Sequence, residues 1–163
     1  MSLHPQLLSL EVDIYWDDLP IGTRFHSRKR TVTETDLVNF VNLAWLGEEL
    51  FANADPDDRA NMSITGRVVP GALVYTFAEG LTTPSFQVAG LAFLGTTLEI
   101  QGPTVVGDTL YVKSEVIEHR LTSNPSRGLV RTRNEVVNQR GQTVLTYCPL
   151  RLMSVRETAA LQG

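Results

Sequence analysis

Between residues 48 and 71 the chain carries a run of groups able to do chemistry: the carboxylates of Glu48, Glu49 and Asp55, the amide of Asn53, the hydroxyls of Ser63 and Thr65, the guanidinium of Arg67, and a Pro70-Gly71 step that reads as a helix start. A carboxylate in a dry cleft has its pKa raised toward neutrality, so Glu48 can act there as a general acid or base. Beside Glu49 at a helix end it also reads as a solvated residue. Asn53 cannot transfer a proton at neutral pH, but its amide can orient water or a carbonyl, and it also suits a loop in which it bonds its own backbone. The first N–H groups of a helix have no intrahelical partner and carry partial positive charge, and Gly71 lets a developing oxyanion approach them closely. Asp55 before Pro56 reads as a turn former, and Arg67 as one side of a structural salt bridge, or as the partner of a loop carboxylate or a phosphate. Arg131, Arg133 and Arg151 alternate along strand-like segments and can meet phosphates or form solvated faces. His119 reads as a surface residue. The lone Cys148 and the scattered His4, His26 and His119 give no zinc spacing, so no metal site is expected.

These groups need a frame. Thr33 and Asp36 form a capping-box pattern, opening a helix whose Leu37, Val41, Ala44 and Trp45 share one face and are expected in the core. Gly47 is expected to end it, with residues 48–62 forming a loop that has room for one helical turn. A second helix is predicted from Pro70 to Leu81, apolar on all sides and therefore enclosed. Strands are predicted over 24–32, 91–100, 108–121, 129–138 and 143–153, with turns at 124–128 and 140–141. In the 108–121 strand Leu110, Val112, Ser114 and Val116 share the buried face. The order is α+β, an antiparallel sheet wrapped around a central apolar helix.

A length of 163 residues fits one domain, with a core expected over 18–153, and 42% hydrophobic residues supply that core. A net charge of -4 argues against nucleic acid as a partner, and the basic run Arg28-Lys29-Arg30 reads as a solvated strand edge. Residues 1–12 lack the pattern of a signal peptide, and no stretch approaches a membrane span, so a cytoplasmic location is the expectation.

Three patterns together resemble the MaoC-like hydratases, which have a hotdog fold. Gly47-Glu48-Glu49-Leu50-Phe51-Ala52-Asn53-Ala54-Asp55 lines up on the family's G-D-x-N-P-x-H-x-D loop. Gly66-Arg67-Val68-Val69-Pro70-Gly71-Ala72-Leu73 is similar to its G-R-I-V-H-G-M-L entry to the central helix. Gly102-Pro103-Thr104-Val105-Val106-Gly107-Asp108-Thr109-Leu110 is similar to its P-V-x-x-G-D-T-L turn. Glu48 stands where the family has its catalytic aspartate, Asn53 where it has histidine, and Pro70 where it has the histidine before the helix glycine.

The resemblance implies a single hotdog domain over 1–163 that hydrates an enoyl-CoA or dehydrates a 3-hydroxyacyl-CoA. Its implied catalytic set is Glu48 as acid/base, Asn53 as positioning group and Gly71 as oxyanion donor; Asp55, Arg67 and Pro70 in the matched patterns, with the Ser63 hydroxyl beside the helix entry, are the expected substrate-binding residues. It implies no cofactor beyond the coenzyme A of an acyl-CoA thioester, and a homodimer at least. Two alternatives remain: a non-catalytic hotdog subunit paired with a catalytic hydratase chain, and a hotdog thioesterase using Glu48 alone.

Overall fold

The computed structural model describes residues 13–55, 64–86 and 89–156. After a turn of 3-10 helix at Trp16–Asp18, the chain forms β1 (Arg24–His26), β2 (Arg30–Thr31), α1 (Glu34–Ala44) and the single-turn α2 (Glu49–Ala52). These are followed by α3 (Gly71–Thr82), β3 (Gly90–Gly95), β4 (Leu98–Ile100), β5 (Thr109–Leu121), β6 (Arg127–Val137), β7 (Thr143–Tyr147) and β8 (Leu150–Ser154). All pairings between these strands are antiparallel. β6 pairs with β5 on one side; on the other it pairs with β8 along its first half and β7 along its second. β1 and β2 flank β5, while β3 and β4 flank β8 and β7, so the edges are β1–β2 and β3–β4.

The long predicted strands are therefore interrupted. Proline has no N–H for the ladder, and the chain bends at Cys148-Pro149, where the Pro149 carbonyl accepts from Thr132 N at 3.3 Å. The partner strand breaks at the same level, between Gly95 and Leu98, with Cys148 N donating to Thr97 O at 3.0 Å. The strand predicted over 24–32 is likewise split, at residues 27–29.

α3 lies against the sheet. Leu73, Val74, Phe77 and Ala78 are buried against Leu110 and Val112 of β5, Val136 of β6, and Val144, Leu145 and Tyr147 of β7. The expected alternation in β5 is present: Leu110, Val112, Ser114 and Val116 are all buried. Truncating such a core leucine to alanine typically costs about 2–5 kcal/mol.

Three expectations about packing are corrected. The α1 face is shallower than its periodicity suggested, because only Leu37 is buried. Trp45 adopts φ 57°, leaves the helix as its left-handed cap, and is 92% exposed. This cap, rather than Gly47, ends α1. Next, α3 is not enclosed on all sides within one chain, since Ala72, Thr76 and Gly80 are exposed. Finally, His119 is half-buried, stacked on Trp16 at 3.7 Å between ring centroids with its Nε2 3.0 Å from Trp16 O. No helix of the described residues is long and apolar enough to cross a membrane.

Candidate active site

Residues 67–69 run beside the 104–106 turn. Val69 N donates to Thr104 O at 2.8 Å, Val106 N donates to Arg67 O at 2.9 Å, and Val68 bridges Val105. The turn is itself held by the buried carboxylate of Asp108, which accepts from Val105 N at 3.0 Å and from Gln139 Nε2 at 2.7 Å. Gly107 there adopts φ 95°, a conformation that side chains with a Cβ rarely take. Two of the sequence patterns, the helix entry and the Gly107-Asp108 turn, thus form one hydrogen-bonded unit that aims the start of α3.

At that start Pro70 is buried, and its carbonyl accepts from Leu73 N at 2.9 Å and Val74 N at 3.2 Å. The N–H groups of Gly71 and Ala72 are left as the orphan donors of the first turn. Gly71 borders an apolar pocket of about 450 Å³ walled by Leu50 and Phe51 of α2, Val74 of α3, Ile100 of β4, and Val144 and Leu145 of β7. Gln101 and Thr104 supply polar side chains to the same walls. The arrangement can seat an apolar chain with its carbonyl oxygen against the positive end of a helix.

The remaining candidates are placed differently. Glu48 caps α2 by its backbone only, its carbonyl accepting from Phe51 N and Ala52 N, and it is exposed. Asn53 donates from Nδ2 to Glu49 Oε1 at 3.2 Å and accepts from Asp55 N at 2.8 Å, the local turn that its residue type allowed. Asp55 is exposed, and neither Glu48, Asn53 nor Asp55 lines the pocket. Arg67 ties three elements together: its Nη2 donates to Phe51 O at 3.1 Å, and its Nη1 pairs with Glu34 at the start of α1. The partner is therefore a helix carboxylate and not one from the 48–55 loop. Ser63 lies outside the described residues.

Sequence reasoning did not single out Ile100, Leu50 or Phe51, although Ile100 crowds Gly71 most closely. Of the three arginines considered for phosphates, Arg131 is bound to Glu118 at 2.9 Å and Arg151 to both Glu79 oxygens at 2.7 Å, which leaves Arg133 the least engaged. The Glu79–Arg151 pair was also not anticipated. Burial, then the Glu79 charge, pushes the neighbouring Tyr75 hydroxyl up and Tyr147 further up, so neither ionises near neutral pH.

The model of the FAS1-like, dehydratase domain region matches residues 20–147, which include the helix entry, the Gly107-Asp108 turn and the pocket. The chain belongs to this dehydratase family. Its sheet wrapped round one helix is the hotdog fold, as the MaoC-like patterns implied. Among curated proteins this family member is 28% identical over 145 residues to β-methylmalyl-CoA dehydratase of Chloroflexus aurantiacus, covering 88% of this chain and 40% of that one. It is 28% identical over 151 residues to mesaconyl-CoA hydratase of Cereibacter sphaeroides, covering 90% and 43%. The chain thus spans about two-fifths of the length of these relatives. In structure it is similar to a monoamine oxidase regulatory protein from Archaeoglobus fulgidus, with a TM-score of 0.78 at 28% identity, covering 92% of this chain and all of that one.

Proposed function

We propose that this chain catalyses hydration of an enoyl-CoA, or the reverse dehydration of a 3-hydroxyacyl-CoA, with the acyl chain in the pocket beside Gly71 and the thioester oxygen on the first-turn N–H groups of α3. The single observation that carries this reading is the Pro70-Gly71 helix start opening on the apolar pocket. The dehydratase family and the named activities of the two relatives support the reaction class. Water adds to the β-carbon as the α-carbon gains a proton, and the oxyanion formed between these steps needs fixed donors in a water-poor site.

Glu48 is the proposed acid/base, and its place in the mechanism depends on a second chain. In one chain it is exposed; a partner lying over the loop would exclude water from it. The β3–β4 edge presents Leu91, Phe93, Leu94, Leu98 and Ile100 to solvent, each at least 40% exposed, and an unpaired apolar edge strand invites a second sheet. We assign that edge to a homodimer.

A specific observation also favours a second reading. Glu48 outside the pocket and Asn53 engaged in a local turn suit a non-catalytic subunit that shapes the site of a catalytic hotdog chain. The test is loss of the enoyl-thioester absorbance when the purified protein is mixed with crotonyl-CoA and longer enoyl-CoAs. Turnover by this chain alone supports the enzyme. Binding of acyl-CoA without turnover, with activity appearing only beside a second hotdog chain, supports the subunit.

A further inference from the structure

On the side of the sheet away from α3, a groove of about 950 Å³ runs along β1, the 27–29 bend, β5 and β6. Its cross-strand partners place Arg24 beside Glu115 and Arg133, and His26 beside Lys113 and Glu135. Arg28 and Lys29 extend the wall from the bend. Five permanent cations therefore face the carboxylates of Glu115 and Glu135, on a chain whose net charge is -4.

The pairing within the groove is uneven. Glu115 is shared by Arg24 at 3.4 Å and Arg133 at 4.0 Å. Among the described residues Arg28, Lys29 and Lys113 form no ion pair. The ammonium groups of Lys29 and Lys113 instead sit 5.4 and 5.8 Å from the centroid of one ring, that of Tyr111. The electron-rich face of a phenol attracts cations within about 6 Å. Tyr111 thus holds together two ammonium groups that would otherwise repel, a preset pair of point charges of the kind that takes up phosphate. The groove is too large for a lone phosphate and falls in the range of small-molecule sites, with Phe25 offering aromatic surface beside the charges.

We propose that this groove binds the diphosphate group of a nucleotide, held by Lys29 and Lys113 on Tyr111 with Arg28 closing the bend. The basic run Arg28-Lys29 is then a wall of the site, while Arg30 turns away to Asp36 at 2.9 Å and lies over the ring of Phe77. The diphosphate belongs either to a free nucleotide or to coenzyme A. The second source rests on the hydratase reading; the binding itself does not.

The experiment is calorimetric titration of the whole protein with inorganic pyrophosphate, ADP, AMP, adenosine and coenzyme A, with no turnover measured. Pyrophosphate and ADP are expected to bind, AMP more weakly and adenosine not at all, with affinity falling as salt is raised. The Lys29→Ala/Lys113→Ala double variant is expected to weaken ADP at least tenfold. Tyr111→Ala is expected to weaken it too, whereas Tyr111→Phe keeps the ring and the affinity. Arg28→Glu, in the exposed bend, gives an independent check on the same loss. Coenzyme A binding that is weakened in the double variant as ADP binding is assigns the coenzyme as the source; ADP binding without coenzyme A binding assigns a free nucleotide. Wild-type protein that takes up neither pyrophosphate nor ADP overturns the proposal, as does a folded double variant that binds ADP like wild type.

Discussion

The Cδ1 of Ile100 lies 2.6 Å from where a Cβ on Gly71 would stand, with its Cγ1 at 3.3 Å, so the edge strand β4 meets the start of α3 closely enough that any larger residue at 71 must displace Ile100. The crowding atom is the tip of a flexible, half-exposed side chain and not backbone. Gly71→Ala is therefore expected to fold, while displacing the Ile100 side chain that borders the pocket. Turnover should fall with little change in melting temperature, and adding Ile100→Ala should restore part of it. Equal turnover in wild type and Gly71→Ala would remove the close approach from the mechanism.

Arg67 joins α1, α2 and the entry to α3 through Glu34 and Phe51 O. Its guanidinium is mostly buried, and hydrogen bonds to charged groups are worth about 1.5–3 kcal/mol. Arg67→Met should lower thermal stability by a few degrees. Glu34→Gln, which loses only the half-exposed partner, should cost less. If Arg67→Met instead raises the acyl-CoA KM with unchanged melting, the arginine binds substrate and is not a staple.

The capping box of α1 gives a pH signature. Burial alone would raise the Asp36 carboxyl, but hydrogen bonds from the Thr33 N–H and hydroxyl, with the Arg30 charge, outweigh it and hold Asp36 below its ordinary value of 3.8. Hydrogen bonds from Arg131 and Arg120 hold Glu118 below 4.5 in the same way. A depressed carboxylate stabilises the fold above its unfolded pKa, and this contribution is lost as pH falls through the folded value. Stability from these groups should be flat from neutrality to about pH 5 and drop below about pH 4. Thr33→Ala should cost about 0.5–2 kcal/mol at neutral pH. Asp36→Asn should melt lower at pH 7 and show a shallower acid loss; an identical acid limb would place the titration elsewhere.

The dimer assignment has its own test. Leu94→Glu puts a charge on the exposed β3 edge, where the side chain is 54% exposed in one chain. Light scattering should show wild type as a dimer and the variant as a monomer, with the monomer also losing turnover if a partner dries Glu48. A variant that stays dimeric moves the interface to another surface.

Much of the frame was legible because it is local. The Thr33-Asp36 pair, the apolar run after Pro70 and the alternation in β5 each carry their own periodicity, and each stands where the sequence put it. Breaks that depend on tertiary context were not. Pro149 breaks the strand predicted over 143–153, and the matching bend at residues 96–97 comes from that neighbour. Trp45 gives no residue-type signal for a left-handed cap, which usually falls to glycine or asparagine. In the site, the Pro70-Gly71 helix start was readable as a donor because every helix start is one. The Arg67–Glu34 pair spans 33 positions and could not be read from spacing. The placement of Glu48 was equally closed to the sequence, because whether a loop carboxylate is dry depends on what packs over it.

The most direct test of the central claim is kcat for crotonyl-CoA hydration by the purified protein beside its Glu48→Ala variant. The expected result is measurable hydration by wild type that falls about 10²–10⁴-fold in the variant, the usual cost of losing a positioned acid/base. Wild-type hydration that survives Glu48→Ala unchanged would contradict the assignment of the carboxylate. Bound acyl-CoA with no hydration of any enoyl-CoA would contradict the claim that this chain is the catalyst.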